Sequence, residues 1–364
     1  MFEEPCVTQG LENYPNSNLH PQTCLKTMQK STWTGGHTSS VLSLDVNREG
    51  ILASGGEDEL CIWSKDGTSQ SKLPFTSYLS GDCDTKEVNS VCFCVKNPER
   101  LYASCGNKIL GYDLRNLAST VCEFQFNEDE INQLAIHDKG TFLAACDDSG
   151  EIKIIDVASG RLFKSLHNKD DNICSTVQFR SNRPWEIISG GMDFKVVSWD
   201  FSSGRPLQEF NVQELGGDSQ EGAYFINPPF VHSIHMAGNG RMFVAGLGNG
   251  SIQLFRFEGK KKFVPDECLK KHSSSASQVH FPKFSPNDML VSGGDDCRVV
   301  LWNLSSGQCN GTSVAENIAK EASSVCVVHE VQHGSKINWI SSSSPTQNIF
   351  VADLTNDISV YCVT

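Results

Sequence analysis

The chain has 364 residues, 38% hydrophobic and 9% aromatic, which is enough apolar surface for a packed core. Its net charge is -13, and a duplex-binding protein carries a basic face that this balance argues against. No apolar run approaches the roughly eighteen residues of a membrane-spanning helix, so neither nucleic acid nor membrane is an expected partner.

Residues 1–27 are polar, carry Pro5, Pro15 and Pro21, and lack the charged-then-apolar layout of a signal peptide. They are expected to be a disordered leader, with residues 28–364 forming one folded unit. From there the chain repeats itself. Ala53-Ser54-Gly55-Gly56-Glu57-Asp58 runs on to Cys61-Ile62-Trp63, Ile188-Ser189-Gly190-Gly191-Met192-Asp193 to Val197-Ser198-Trp199-Asp200, and Val291-Ser292-Gly293-Gly294-Asp295-Asp296 to Val300-Leu301-Trp302-Asn303. Each reads as strand, tight turn, strand. Weaker copies fill the gaps: Leu101-Tyr102-Ala103-Ser104 with Tyr112-Asp113, Phe142-Leu143-Ala144-Ala145 with Ile152-Lys153-Ile154-Ile155, Phe243-Val244-Ala245-Gly246 with Ile252-Gln253-Leu254-Phe255, and Ile349-Phe350-Val351-Ala352 with Ile358-Ser359-Val360-Tyr361. Seven units at intervals of roughly forty to fifty residues form a repeat array, and no unit of that size buries its apolar faces alone. Two longer spacers, 201–229 and 304–332, read as insertions, with a short helix expected over 314–322.

Fifteen cysteines are spread along the chain without a CxxC pair or a Cys/His cluster of zinc spacing. Cys92 and Cys94 sit inside an apolar run, where free Cys acts as a small hydrophobe. This usage points to a reducing compartment, cytoplasm or nucleus, where the Asn303 and Asn310 glycosylation sequons go unused. No metal or cofactor is expected. The basic runs Lys260-Lys261-Lys262 and Lys270-Lys271 read as solvated loop.

Gly36-His37, an apolar strand, Ser-Gly-Gly-x-Asp and a closing Trp together resemble the WD40 repeat. The resemblance implies an all-β fold, a seven-bladed β-propeller with four antiparallel strands per blade. It also implies a hydrogen-bonded tetrad in the best-matching repeats: His37, Ser54, Asp58 and Trp63; His167, Ser189, Asp193 and Trp199; His272, Ser292, Asp296 and Trp302. The first repeat has one residue fewer between Asp58 and Trp63. The third, fifth and seventh place Ile155, Phe255 and Tyr361 where Trp would stand, so packing is expected to hold those blades. The last repeat lacks an outer strand, and Gln29 to Trp33 are expected to supply it and close the ring, removing exposed sheet edges.

Residues 101–115 are similar to the box of WD40 substrate receptors of cullin-4 ubiquitin ligases. The resemblance implies that Asp113 and Arg115, with Tyr112 in the Trp position, dock the adaptor, damage-specific DNA-binding protein 1. Arg suits that task through its planar, always-charged fork. Read from the residues alone, Arg115 is equally an ordinary turn residue. Nothing matches a nucleophile elbow, a P-loop or His-Glu-x-x-His. Gly246 to Gly250 joins two strands and reads as a hairpin, and the Asp147-Asp148, Asp170-Asp171 and Asp295-Asp296 pairs are too small for calcium. The expected role is a non-enzymatic interaction scaffold, a monomeric propeller within a complex that binds proteins or peptides. The alternatives are a ligase substrate receptor, a propeller that reads a peptide such as a histone tail, and a hydrolase with its site at the channel mouth.

Overall fold

The computed structural model of the chain describes residues 28–57, 59–74, 87–167, 172–215, 227–305 and 325–363. They form seven four-stranded antiparallel sheets, the blades of a closed ring. Blade one comprises Val41–Val46, Leu52–Gly56, Glu59–Trp63 and Ser69–Pro74; blade two Val91–Phe93, Arg100–Cys105, Lys108–Asp113 and Cys122–Phe124. Blade three is Ile131–Ile136, Phe142–Asp147, Glu151–Asp156 and Arg161–His167; blade four Cys174–Phe179, Glu186–Gly191, Lys195–Asp200 and Arg205–Asn211. Blade five is Val231–Met236, Met242–Leu247, Ser251–Glu258 and Lys262–Lys270; blade six Gln278–His280, Met289–Gly293, Arg298–Asn303 and Cys326–Gln332. Blade seven takes Ile337–Ser342, Asn348–Asp353 and Ile358–Val363 from the chain's end and Met28–Trp33 from its front. A single 3-10 turn, Val212–Leu215, is the only helical element among the described residues.

Met28–Trp33 pairs antiparallel with Ile358–Val363 over six registered positions, from Met28↔Val363 to Trp33↔Ile358. This is the closure anticipated from the sequence. The two spacers differ from expectation. Arg205–Asn211 and Cys326–Gln332 lie within them and are the outer strands of blades four and six. Outer strands alternate exposed and half-buried positions, as in Ser69–Pro74, so they carry a weak apolar signal. The leader, Asp58, Asp170 and Asp171, and the helix expected over 314–322 lie outside the described residues.

The core lies between blades. Second and third strands are covered on both faces by neighbouring sheets, so they are largely apolar or small, as in Leu52–Gly56 and Leu143 to Cys146. Each apolar cluster joins two adjacent blades; Ala53, Leu60 and Ile62 of blade one meet Val91, Phe93 and Leu101 of blade two. Cys92 and Cys94 fill the next such cluster with Tyr102, Leu134 and Leu143. Among the described residues ten cysteines are free thiols, most of them buried. Cys326 differs from the free-thiol expectation in being disulfide-bonded.

A second device holds the ring. In five blades the inner strand begins with the same register shift, between Val41/Ser43, Ile131/Gln133, Cys174/Thr176, Val231/Ser233 and Ile337/Trp339. Such bulges turn a side chain out of register, and here polar side chains reach the next blade. Ser43 Oγ donates to Val88 O at 2.7 Å, and Leu134 N to Ser90 Oγ at 2.9 Å. Gln133 Oε1 accepts from Thr176 Oγ1 and Val177 N, and Ile234 N donates to Thr176 Oγ1. Val279 N donates to Ser233 Oγ, Ser277 Oγ to Ile337 O, and Asn338 Nδ2 to Val41 O. The circuit returns to its start, so all seven blade junctions carry a buried or half-buried hydrogen bond near the channel.

Candidate protein-interaction surface

Every blade runs from its inner strand outward, so first-to-second and third-to-fourth connections lie on one face, here the lower face. Asp113 ends the third strand of blade two and belongs to that face. The chain turns back at once: Leu114 N donates to Glu99 O at 2.8 Å and Asn116 N to Asp113 O at 2.9 Å. Arg115 folds over the turn. Its Nε donates to Asp113 Oδ1 at 2.8 Å and Nη2 to Asp113 Oδ2 at 2.6 Å, a bidentate fork. Arg115 N adds a third bond to Oδ1 at 3.1 Å, and Glu99 stands 3.6 Å from Nε. The hydrogen bond from the Arg115 side chain, then that from its backbone N–H, hold the Asp113 carboxyl well below the usual carboxylate range. Two of the five guanidinium N–H groups are thus committed to Asp113, on a side chain that remains 70% exposed. Tyr112 is elsewhere: fully buried, it packs with Leu101, Ala103 and Leu110 under the strand end.

The tetrad residues fall into three states. Blade six assembles all four: His272 Nδ1 lies 2.9 Å from Asp296 Oδ1, His272 Nε2 2.8 Å from Ser292 Oγ, and Trp302 Nε1 donates to Ser292 Oγ at 2.9 Å. Blade one joins three: Ser54 Oγ lies 2.6 Å from His37 Nε2 and accepts from Trp63 Nε1 at 2.7 Å. With the shortened turn, Glu59 Oε1 stands 3.7 Å from His37 Nδ1. In blade four Trp199 Nε1 donates to Ser189 Oγ at 2.9 Å, and Asp193 Oδ1 accepts from Lys195 N. His167 there closes the outer strand of blade three and is exposed, unlike buried His37 and His272. Blade seven departs from the expectation of packing alone. His333 lies 2.6 Å from both the Tyr361 hydroxyl and Asp353 Oδ2. The signal in the sequence was His333 itself, at the same place in its repeat as His37 and His272.

His37, Glu59 and Cys61 form the one grouping of three metal-type donors among the described residues. Burial pushes the Cys61 thiol up to about 12 and, with Lys72 nearby, draws His37 down to about 4. Cys61 donates to Gly36 O. A neutral thiol already bonded to a carbonyl is a poor ligand. Of the carboxylate pairs weighed for calcium, Asp147-Asp148 is engaged in its turn: Asp147 accepts from Asn127, Ser149 and Glu151 N, and Asp148 from Asn132. Gly246 to Gly250 is a hairpin in which Gly250, at φ 83°, takes the left-handed turn position.

A cavity of about 610 Å³ occupies the channel towards the lower face, with Asp45, His235, His280 and Lys283 at its wall. Lys283 of blade six reaches past blade seven to Asp45 of blade one, Nζ to Oδ1 at 2.7 Å, and to Val46 O at 2.5 Å. His235 and His280 lie with centroids 4.5 Å apart. Burial, then Lys283, draws His235 down to about 4, and burial draws His280 well below its usual value. The wall offers one carboxylate and two neutral imidazoles, tied into the fold by Ser342 and Phe281 N.

Comparison with known proteins agrees with this architecture. Residues 106–182 match the anaphase-promoting complex subunit 4 WD40 domain, and residues 264–303 the WD domain, G-beta repeat. The chain is 22% identical over 183 residues to the small ribosomal subunit protein RACK1 of Caenorhabditis elegans, covering 49% of this chain and 53% of that one. It is 21% identical over 300 residues to the protein SUPPRESSOR OF PHYA-105 1 of Arabidopsis thaliana, covering 71% of this chain and 26% of the relative. It is 32% identical over 350 residues to the WD repeat-containing protein 53 homolog of Dictyostelium discoideum, covering 90% of this chain and 93% of that protein. WD40 propellers generally bind proteins or peptides and work as interaction scaffolds without catalysis. On repeat, ring and near-full-length identity together, the chain belongs to the WD repeat-containing protein 53 family of WD40 β-propellers.

Proposed function

We propose that this propeller is a substrate receptor of a cullin-4 ubiquitin ligase, docking damage-specific DNA-binding protein 1 through Arg115 and Asp113. The observation that carries the reading is the fork on blade two. An exposed guanidinium is held in one orientation by a carboxylate of its own strand end, with N–H groups left over for a partner. A preorganised cation loses little freedom on binding, and arginine is among the residues that dominate interface energies. Buried Tyr112 supports the turn from below. The role is contact alone, in the cytoplasm or nucleus.

The test is a pull-down of the adaptor by wild type, Arg115→Ala and Asp113→Ala. The reading predicts that Arg115→Ala loses the adaptor and Asp113→Ala weakens it. Equal recovery by all three rejects it.

A second reading, a propeller that reads a peptide without ligase involvement, draws on the channel cavity of about 610 Å³. Proximity labelling that returns peptide-bearing partners and no ligase subunit favours that alternative.

A further inference from the structure

The Lys260-Lys261-Lys262 turn reads in the sequence as solvated loop, but its setting is specific. Arg180 is only 3% exposed. Its Nε donates to Gly240 O at 3.0 Å, and its Nη1 to Glu186 Oε2 at 2.5 Å and to Lys260 O at 2.9 Å. The guanidinium lies 3.3 Å over the Phe257 ring. One buried cation therefore pins the lower-face turns of blades four and five together. A Cβ on Gly240 would stand 2.1 Å from Ser181 O, so these turns touch backbone to backbone. The three lysines and Arg241 are exposed on the blade-five turns, and Arg183 stands near Arg180 on the blade-four turn.

Next to the junction the lower face is apolar. Trp185 is 42% exposed, Leu162 39% and Phe163 38%. Phe163 and Trp185 stack with centroids 6.2 Å apart and 21° between planes. Both rest on Phe142, at 4.9 and 5.7 Å, and on buried Phe201, at 6.2 and 5.5 Å. Scattered exposed apolar residues need no explanation, but a clustered patch does. Here two exposed rings are fixed by two rings beneath. Lys164 and Arg205 add two cations at the blade three–four junction, Arg205 registered opposite Asp200; the Lys164 stem lies 3.1 Å from a Cβ on Gly204.

We infer that this aromatic shelf with its basic border docks an acidic segment of a partner protein that carries one bulky apolar side chain. Rigid aromatic residues supply interface hot spots, and a positive rim steers an acidic partner and fixes its register. The border runs against the chain's net charge of -13, so its sign marks this place rather than the protein. Aromatic and basic residues together also suit single-stranded nucleic acid. That occupant needs a basic groove tracking a backbone with successive stacking positions, whereas this shelf is one stacked pair, and the overall charge repels a polyanion. The shelf lies on blades three to five and stands independently of Arg115 on blade two.

The experiment is a random-peptide display selection on the purified full chain, followed by titration of the enriched peptides. The inference predicts enrichment of peptides with Asp or Glu flanking a Phe, Trp or Leu. Their affinity falls about tenfold or more with Trp185→Ser, and likewise with Lys260→Glu, Lys261→Glu and Lys262→Glu combined. Lys65→Glu, exposed on the same face at blade one, leaves it unchanged. The lysine variant alters only exposed side chains, so it carries the test if Trp185→Ser lowers the melting temperature. No enrichment, enrichment without acidic bias, or binding indifferent to both variants overturns the inference. An oligothymidine strand that binds more tightly and displaces the peptides overturns it in favour of nucleic acid.

Discussion

Gln133 of blade three accepts two hydrogen bonds from blade four, from Thr176 Oγ1 at 2.7 Å and Val177 N at 2.8 Å. Thr176 Oγ1 in turn accepts from Ile234 N of blade five at 2.9 Å. Gln133 and Thr176 are both buried. Gln133→Leu strands the Val177 N–H and is expected to cost about 2–3 kcal/mol, the penalty for unpaired buried donors. Thr176→Val strands the Ile234 N–H and costs a similar amount. The double variant costs less than the sum, since both remove the Gln133–Thr176 bond. Urea denaturation of the four proteins measures the coupling; strict additivity would show that the two residues act separately.

Ring closure makes a separate prediction. Trp33, at the end of the front strand, lies with its ring 5.9 Å from Trp63 and 5.0 Å from Phe350, bridging blades one and seven. Trp33→Ala is expected to cost about 2–3 kcal/mol, below the range for fully buried aromatics because Trp33 is half-buried. Replacing Gln29 with Pro removes a backbone donor from the strand and frays the latch. Size-exclusion chromatography should then show self-association through the freed edge of Ile358–Val363. A monodisperse, equally stable Gln29→Pro protein would place closure elsewhere.

The histidines predict acid lability. His37 and His235 are each drawn down to about 4, chiefly by burial, and burial holds His280 well below its usual value too. Lys283 faces the channel pair and disfavours their protonation, while Asp45 opposes it at His235. Each ring takes a proton more readily unfolded than folded. Stability is therefore full above the unfolded value of 6.5 and is lost as pH falls towards 4. At ~1.4 kcal/mol per pKa unit, the melting temperature should drop by several degrees between about pH 7.5 and about pH 5. His235→Asn, measured in the same buffers, should flatten the profile; an unchanged slope would assign the lability to other groups.

The sequence disclosed what repeats and hid what varies. Ser-Gly-Gly-x-Asp with Trp recurs because one buried Trp–Ser hydrogen bond is rebuilt in three blades, and blade six shows the tetrad whole. The outer strands of blades four and six stayed hidden because half of each faces water. Blade seven's tie was missed because Tyr361 replaces Trp and Asp353 comes from a strand end rather than a turn. The inter-blade circuit had no motif at all: Ser serves at four junctions, and Gln, Thr and Asn at the other three, chosen by local reach. Asp113 and Arg115 were legible as a pair, but their mutual fork needs the turn geometry.

His333 offers a direct check of the blade-seven tie. His333→Phe keeps the ring's bulk and removes both bonds, leaving the Tyr361 hydroxyl and Asp353 without them. A loss of about 3 kcal/mol is expected, as for other buried polar groups stripped of charged partners. The double variant with Tyr361→Phe should recover part of it. No recovery in a denaturation series would mean that the hydroxyl has another role.

We propose that this ring works by contact through the fork on blade two. Titration of the purified chain with the purified adaptor tests it most directly. Saturable binding to wild type is expected, with a loss of about 2 kcal/mol or more in Arg115→Ala. Arg115→Lys should fall in between, since it keeps the charge but not the fork. Binding of equal strength in all three proteins, or none to wild type, would contradict it.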